Sequence, residues 1–450
     1  MEPMTLREIA GVVGGETPET GSDTRVTGVA LDSRAVTEGD LFVALAGARV
    51  DGADFGADAA RRRAVAALAR RPVAGLPTVV VPDEPAALAR LGVACRRAAG
   101  ARVAGITGSN GKTTVKELLA AMLGSLGPTL ATAGNLNNEL GVPLTLCRLN
   151  ASHRYAVIEM GANHPGEIRA LTRWAAPDVG VVTQAAPAHL EGFGSLDGVA
   201  RAKGELFEEL GPEGVAVVNA DDPYAPLWRS QAGESRVVTF GAGPDADLAF
   251  RGSGADLELR WEGRWIPVPS PLPGRHNAAN VAAAAACAWV FGAEPRNVTA
   301  AVAATTGVPG RLQPQPGAGG QQILDDSYNA NPASLEAGLE CLAALEGERW
   351  LLLGEMAELG AEAESWHRKA AEAARRAGVS HLWTVGSAAP AAEAFGPGGR
   401  AFDDRAALLA ALRDSLPETA VVLIKGSRAA GMDRITVALT AESTPAQGGD

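Results

Sequence analysis
Apolar residues along this chain follow two alternating patterns, short continuous runs and longer stretches where they recur every three or four positions. The runs Tyr155–Met160 and Pro177–Thr183 are too apolar for a half-exposed strand and predict buried parallel strands. A further β-branched run, Arg102–Thr107, ends at a glycine loop and is followed by Val115, Leu118, Leu119, Met122 and Leu126 on one helical face. A helix over Leu196–Leu210 sets Val199, Lys203, Leu206, Phe207 and Leu210 on one side, and an alanine-rich helix opens near Val281. The third part repeats the alternation, with strands predicted at Gln322–Leu324, Trp350–Leu353, His381–Val385 and Val421–Ile424. In the first part, strands are predicted at Arg25–Leu31, Asp40–Leu45 and Thr78–Val81, with a helix of alanines and arginines near 57–70.

Strands alternating with helices imply an α/β protein whose ligands lie at the carboxyl ends of the strands. We expect three domains: a small N-terminal α/β domain (1–85), a central doubly wound P-loop domain (86–310) and a C-terminal Rossmann-like domain (311–450). The length of 450 residues and a 46% share of hydrophobic residues suit two to four domains with sizeable cores. Only the tail Ser443–Asp450 looks disordered.

Charge and cysteine usage remove several function classes. Forty basic against 52 acidic residues leave a net charge of -12, which argues against a sequence-independent grip on nucleic acid or an acidic membrane. The four cysteines, Cys95, Cys147, Cys287 and Cys341, are scattered singly, which fits a reducing cytoplasm and not a disulfide or zinc framework. The start of the chain has no basic-then-apolar leader, and the most apolar tract, Val281–Phe291, is too short for a membrane span.

The chemistry centres on Gly108-Ser109-Asn110-Gly111-Lys112-Thr113-Thr114. Between strand and helix, such glycines let backbone N–H groups surround phosphate oxygens, the lysine reaches the terminal phosphates, and the Thr113 hydroxyl suits Mg²⁺. The strict P-loop pattern wants glycine at 106, where this chain has Ile106. Glu159 ends an apolar strand, where a lone carboxylate needs a cation, and His189 follows the next strand end. Lys203 lies on an apolar helix face with no acid three or four residues away; it either snorkels or has a function.

The form Thr107-Gly-Ser-Asn-Gly-Lys-Thr-Thr114 resembles the phosphate loop of the Mur ligases and of the related folylpolyglutamate synthetases. Further stretches carry the resemblance from about residue 25 to 435: Asp32-Ser-Arg34 with Gly39–Leu45, Gly134–Pro143, Leu272–Val281, Val308–Leu312, Asp325–Pro332, Gly354–Gly360 with His367, and Lys425–Arg428. It points most closely to the branch that adds D-alanyl-D-alanine. One departure is Thr183-Gln-Ala-Ala-Pro187, where the family usually has asparagine, isoleucine and glycine.

The resemblance implies an ATP-dependent amide ligase of peptidoglycan precursor synthesis that works through an acyl phosphate. Its partners would be a UDP-linked muramoyl peptide and D-alanyl-D-alanine, with the chain acting as a monomer. Lys112, Lys203, His189 and Arg311 would be catalytic, and two Mg²⁺ ions would be held by Thr113, Glu159, His189 and a carbamylated Lys203. ATP would meet residues 108–114, His276, Asn277, Asn280, Arg311 and Asp326. Ser33, Arg34 and Phe42 would hold the uridine diphosphate end of the substrate. Asn135, Asn137, Asn138, Tyr328, Asn329, Asn331, Lys425 and Ser427 would hold the remaining substrate groups. A sister ligase adding a different amino acid, a folylpolyglutamate synthetase, or a P-loop switch or regulatory partner that ligates nothing stays open as an alternative.

Overall fold
The computed structural model describes residues 1–47 and 50–440, so the expected disordered tail at 443–450 lies outside the described residues. Beside a small antiparallel pair, Met4–Thr5 with Arg25–Val26, three larger sheets organise the chain in sequence order. The first is a four-stranded parallel sheet of Gly28–Ala30, Asp40–Val43, Ala66–Ala69 and Thr78–Val80, side by side in that order. The predicted single helix near 57–70 is instead a short helix, Gly56–Arg61, followed by the strand Ala66–Ala69. Arg63 turns the chain at φ 71, and the alanines that follow are paired on both edges, so sheet context overrides their helix propensity.

Past this sheet, Asp83 caps the helix Glu84–Ala99, accepting the Ala86 N–H at 3.0 Å. Its Ala87, Leu88, Leu91 and Cys95 complete the N-terminal core, while Gly92 lies against the backbone of Pro143 in the central domain. This helix therefore crosses the expected boundary at residue 85 and fastens the first domain to the second.

The central sheet has nine strands. The P-loop strand Arg102–Thr107 runs parallel between Tyr155–Glu159 on one side and Val179–Val182 on the other. The chain fills the first side through Thr129–Ala131 and Tyr155–Glu159, then crosses to Val179–Val182, Val215–Asn219 and Arg236–Gly241. The order reverses at the P-loop strand, which places a ligand crevice at its carboxyl end. One face is covered by the P-loop helix Lys112–Gly124 and the alanine-rich helix Arg275–Val290, the other by helices that contribute Ile168, Leu206, Phe207 and Trp228. Beyond Arg236–Gly241 the sheet continues through Leu248–Arg251 into an antiparallel pair, Glu258–Trp261 and Arg264–Pro267, which the apolar pattern did not reveal.

The third sheet orders its six strands as Gln313–Pro316, Gln322–Asp326, Ala420–Lys425, Glu348–Leu353, His381–Val385 and Gly399–Phe402, all parallel except the first. All four predicted strands are present, each with slightly wider bounds except His381–Val385. None of the four cysteines is in a disulfide, and among the described residues no helix is long and apolar enough to cross a membrane.

The central sheet rests on close helix packing. Gly180 and Gly105 leave the space that Leu206 fills, since Cβ atoms there would come within 3.0 and 3.2 Å of its side chain. Leu206→Ala is expected to cost about 2–5 kcal/mol through the cavity it leaves. Hydrogen exchange of the Val179–Val182 amides should speed up accordingly, and unchanged protection would contradict this packing.

Candidate active site
The loop 108–111 turns where the sheet order reverses, and two of its glycines are required by what surrounds them. Gly108 sits at φ 143 with its Cα facing Thr183, where a Cβ would come 1.8 Å from Oγ1; at Gly111, φ 84, a Cβ would come 2.3 Å from Asn280 Oδ1. Ile106, at the position where the strict motif has glycine, is fully buried in mid-sheet, paired with Val181 and Glu159. The turn begins only at Gly108, so a side chain at 106 does not obstruct it.

The atypical segment 183–187 holds this loop in shape. Thr183 Oγ1 donates to the Asn110 carbonyl at 2.6 Å, the Ser109 N–H to the Gln184 carbonyl at 2.9 Å, and the Ser109 hydroxyl to the Ala186 carbonyl at 3.0 Å. Asn219 in turn donates to the Thr183 carbonyl at 2.8 Å. The phosphate loop is thus braced from the neighbouring strand end.

Lys112 has no carboxylate in hydrogen-bond reach. Its Nζ turns back onto the Gly108 carbonyl at 2.7 Å, and burial pushes its pKa down to about 8, with Glu159 opposing and Arg311 assisting the shift. Lys203 is 2% exposed, donates only to the Ala162 carbonyl at 3.4 Å, and lies 5.3 Å over the Phe193 ring. Burial pushes it down to about 7, the Lys112 charge adding to the effect and Glu167 and Glu205 opposing it. Its head is buried, so it does not snorkel. Burial, with Lys112 and Lys203 nearby, also lowers the His189 pKa against the pull of Glu358. Three basic groups therefore share a low-dielectric region with few acids to match them.

Glu159 is the acid that acts on Lys112. Asn137 Nδ2 donates to its Oε1 at 2.8 Å, while Oε2 is buried without a partner. An orphaned carboxylate oxygen beside a phosphate loop and the Thr113 hydroxyl is a hard-oxygen donor set of the kind Mg²⁺ uses, with the remaining positions left to phosphate and water. The residues present fit one such ion. Among the described residues no cluster of three or more His, Cys, Asp or Glu forms a ready-made metal cage.

The C-terminal domain closes the other side of a cleft of about 780 Å³. Asn331 and Asn110 exchange amide hydrogen bonds at 2.7 and 3.4 Å, and Arg311 Nη2 donates to Thr113 Oγ1 at 3.1 Å. Arg311 also lies 4.2 Å over the Tyr328 ring, with Arg428 5.3 Å from the same ring. Lys425 is 1% exposed and paired with Asp326, which accepts the Leu312 N–H with its other oxygen at 3.1 Å. Burial raises the Asp326 pKa although Lys425 pulls it down. The Lys425 ammonium is therefore engaged, and Arg428 is the exposed cation at this end. Ser427 brings a buried hydroxyl with no partner to the cleft wall.

Most of the sequence-derived residues line this one cleft. Ser109, Asn110, Gly111, Lys112 and Thr114 form its floor; Glu159 and His189 stand beside them; Asn135, Asn137 and Asn138 form one end. His276, Asn277, Asn280 and Arg311 line the domain border, and Asp326, Tyr328, Asn329, Asn331, Lys425 and Ser427 the opposite wall. Burial pushes the pKa of His276 down to about 4, with Lys425 adding to the effect, so its imidazole is neutral. Gly108, Thr113 and Lys203 lie behind the lining. His367 is not in the cleft; it accepts the Met356 N–H at 3.0 Å and buttresses the loop 354–360.

The N-terminal residues are not part of the cleft. Phe42 is 2% exposed in the core of the first domain, so it is a packing residue and does not present its ring to a ligand. Arg34 pairs with Asp32, and Ser33 donates to Asp58 at 3.0 Å. Sequence reading missed Glu358, which touches His189 across the domain border, and Thr183 as the brace of the P-loop. Glu358 falls inside the stretch Gly354–Gly360 that resembles the family, but nothing in its spacing ties it to His189.

Three family descriptions match consecutive parts of the chain: Mur ligase family, catalytic domain, over 25–94; Mur ligase middle domain over 106–288; and Mur ligase, glutamate ligase domain, over 310–428. The UDP-N-acetylmuramoyl-tripeptide--D-alanyl-D-alanine ligase of Escherichia coli K12 is 42% identical over 455 residues, covering 99% of this chain and all of that protein. Among solved structures, MurF from Acinetobacter baumannii superposes with a TM-score of 0.88 at 32% identity, covering 98% of this chain and 99% of the other. MurF from Thermotoga maritima in complex with ADP superposes with 0.80 at 27% identity, covering 92% and 97%. With all three domains matched and a relative of this identity along nearly its whole length, the chain belongs to the Mur ligase family.

Proposed function
We propose that this chain joins D-alanyl-D-alanine to a UDP-N-acetylmuramoyl-tripeptide with cleavage of ATP to ADP and phosphate. The observation that carries this reading is the single cleft into which the phosphate loop, Arg311 and the two C-terminal loops 325–332 and 425–428 all open. A carboxylate and an amine do not condense in water. The γ-phosphoryl group of ATP is therefore passed first to the tripeptide carboxylate, and the amine of the dipeptide then displaces phosphate from the acyl phosphate.

The chain's own groups suit each need of that sequence. Lys112 and Arg311 approach from two domains and neutralise charge on the transferring phosphoryl group, in a site where burial makes each cation count for more than in water. His276 and Asn280 border the nucleotide, and Asn135 and Asn138 offer amides to the peptide. Tyr328 and the unpartnered Ser427 hydroxyl wall the acceptor end, where Arg428 takes the dipeptide carboxylate in place of Lys425, already held by Asp326. Seating of the C-terminal domain through Asn331 and Asn110 excludes water from the acyl phosphate.

Mg²⁺, held by Thr113 and Glu159, would supply Lewis-acid neutralisation of the phosphate oxygens. Lys203, with its pKa lowered, has the neutral amine that reacts with CO₂; the resulting carbamate, with His189, would suit a second Mg²⁺. The N-terminal domain takes the uridine diphosphate end, where Arg34 is exposed though paired with Asp32. The chain would act as a monomer, and free buried cysteines suit the cytoplasm.

Phosphate release with the UDP-linked tripeptide and D-alanyl-D-alanine, D-alanine, L-lysine, D-glutamate or L-alanine as the only acceptor tests the assignment. We expect turnover with the dipeptide alone; equal use of any single amino acid would sink the dipeptide reading.

Lys203 supplies a second test. Lys203→Ala is expected to lose more than about 10²-fold in rate, as when one electrostatic contact to the reacting phosphoryl group goes, and to recover part of it with acetate or another short carboxylate. In the unmodified protein, activation by bicarbonate should be slow below about pH 7, where the amine is protonated and cannot attack CO₂, and faster above it. Full activity of Lys203→Ala would leave the lysine without a catalytic part.

A further inference from the structure
Two non-glycine residues facing each other across the domain border both adopt the left-handed backbone conformation: His189 at φ 53 in the central domain and Glu358 at φ 62 in the C-terminal domain. Such backbone is unfavourable for side-chain-bearing residues and persists where the surroundings enforce it. Here the two side chains meet. Glu358 Oε2 touches His189 Nδ1, which has no other partner and is buried, although the contact is not aligned as a hydrogen bond.

Neither residue is free to drift. The Glu358 loop is tied to its sheet by the Gly354 N–H to the Lys425 carbonyl at 2.8 Å, the Ser427 N–H to the Glu355 carbonyl at 2.7 Å, and the Met356 N–H to His367. His189 opens a short helical turn, its carbonyl accepting from the Gly192 and Phe193 N–H groups at 3.0 and 3.1 Å. Its ring meets Phe193 edge-on at 6.5 Å, and the Lys203 ammonium lies 5.3 Å from the centre of the same Phe193 ring. A line of contacts thus runs from the C-terminal domain through His189 and Phe193 to Lys203.

Resting on the metal-assisted ligation proposed above, we infer that Glu358 is a positioning residue: carried by the C-terminal domain, it holds His189 by Nδ1 and so leaves Nε2 as the nitrogen offered to the cleft. A histidine that binds a cation through one nitrogen is commonly oriented by a carboxylate on the other. What is unusual here is that the carboxylate belongs to another domain. Seating of that domain and readiness of His189 become one event, so the phosphate site is complete only when the acceptor-binding wall is in place.

The test uses the full chain, uniformly ¹⁵N-labelled and free of nucleotide and Mg²⁺, so that it does not depend on turnover. The ring nitrogens of the six histidines are recorded in the unmodified protein, in Glu358→Ala and in Glu358→Gln. We expect His189, assigned by its loss in His189→Ala, to hold its proton at Nδ1 in the unmodified protein and to become a mixture of tautomers in Glu358→Ala. Glu358→Gln, similar in shape and without the charge, should fall between. In assays, the Mg²⁺ concentration for half-maximal rate should rise about 10-fold or more in Glu358→Ala. Unchanged His189 ring signals in a variant that unfolds at the normal temperature would overturn the inference. A protein that ligates nothing, yet shows the tautomer change, would instead overturn the proposed function and leave the contact standing.

Discussion
The half-buried Lys112 ammonium, with no acid to hold it, is the constraint on which the cleft depends, because a partly desolvated cation is unfavourable until a polyanion arrives. The side chain folds onto the Gly108 carbonyl, and Arg311 and Lys203 add to the local excess of positive charge. Glu159 opposes this charge without matching it. A nucleoside triphosphate brings negative charge to balance these cations, and the low dielectric around them strengthens that attraction.

That charge arrangement exists only because two sheets point their carboxyl ends at each other. The central sheet reverses its order at the P-loop strand, and the C-terminal sheet presents Asp326, the loop after Leu353 and the loop after Lys425 from three adjacent strands. Arg311 lies at the joint and reaches Thr113, while Asn331 caps its own helix by accepting the Ser334 N–H at 2.9 Å and also bonds Asn110. Helix start, domain seat and phosphate loop are therefore coupled through one amide side chain. Movement of the third domain would alter the chemistry and not only access to it.

Much of this was legible in the chain because local pattern and tertiary role coincide. The P-loop needs its glycines for reasons that show in sequence order, and the buried parallel strands are so apolar that periodicity alone finds them. Lys203 was conspicuous as a cation on an apolar face, and it is buried. Three kinds of feature were not legible. Residues 66–69, three alanines and Leu68, favour helix until neighbouring strands pair with them, and the antiparallel strands at 258–267 carry mixed polarity without a core-like run. Pairings between distant loops, such as Lys425 with Asp326 or Glu358 with His189, leave no trace in spacing; the first of these removed Lys425 as a free cation for the acceptor.

Lys112 and Arg311 would act on a phosphoryl group travelling from ATP to the peptide carboxylate, a route that requires an acyl phosphate. The most direct measurement labels that carboxylate with ¹⁸O and follows the label into released phosphate by mass spectrometry. Passage through an acyl phosphate requires that each phosphate released carry one oxygen from the carboxylate, so labelled phosphate should appear in step with amide formation. Phosphate that contains no oxygen from the peptide, at normal rates of amide formation, would contradict the account.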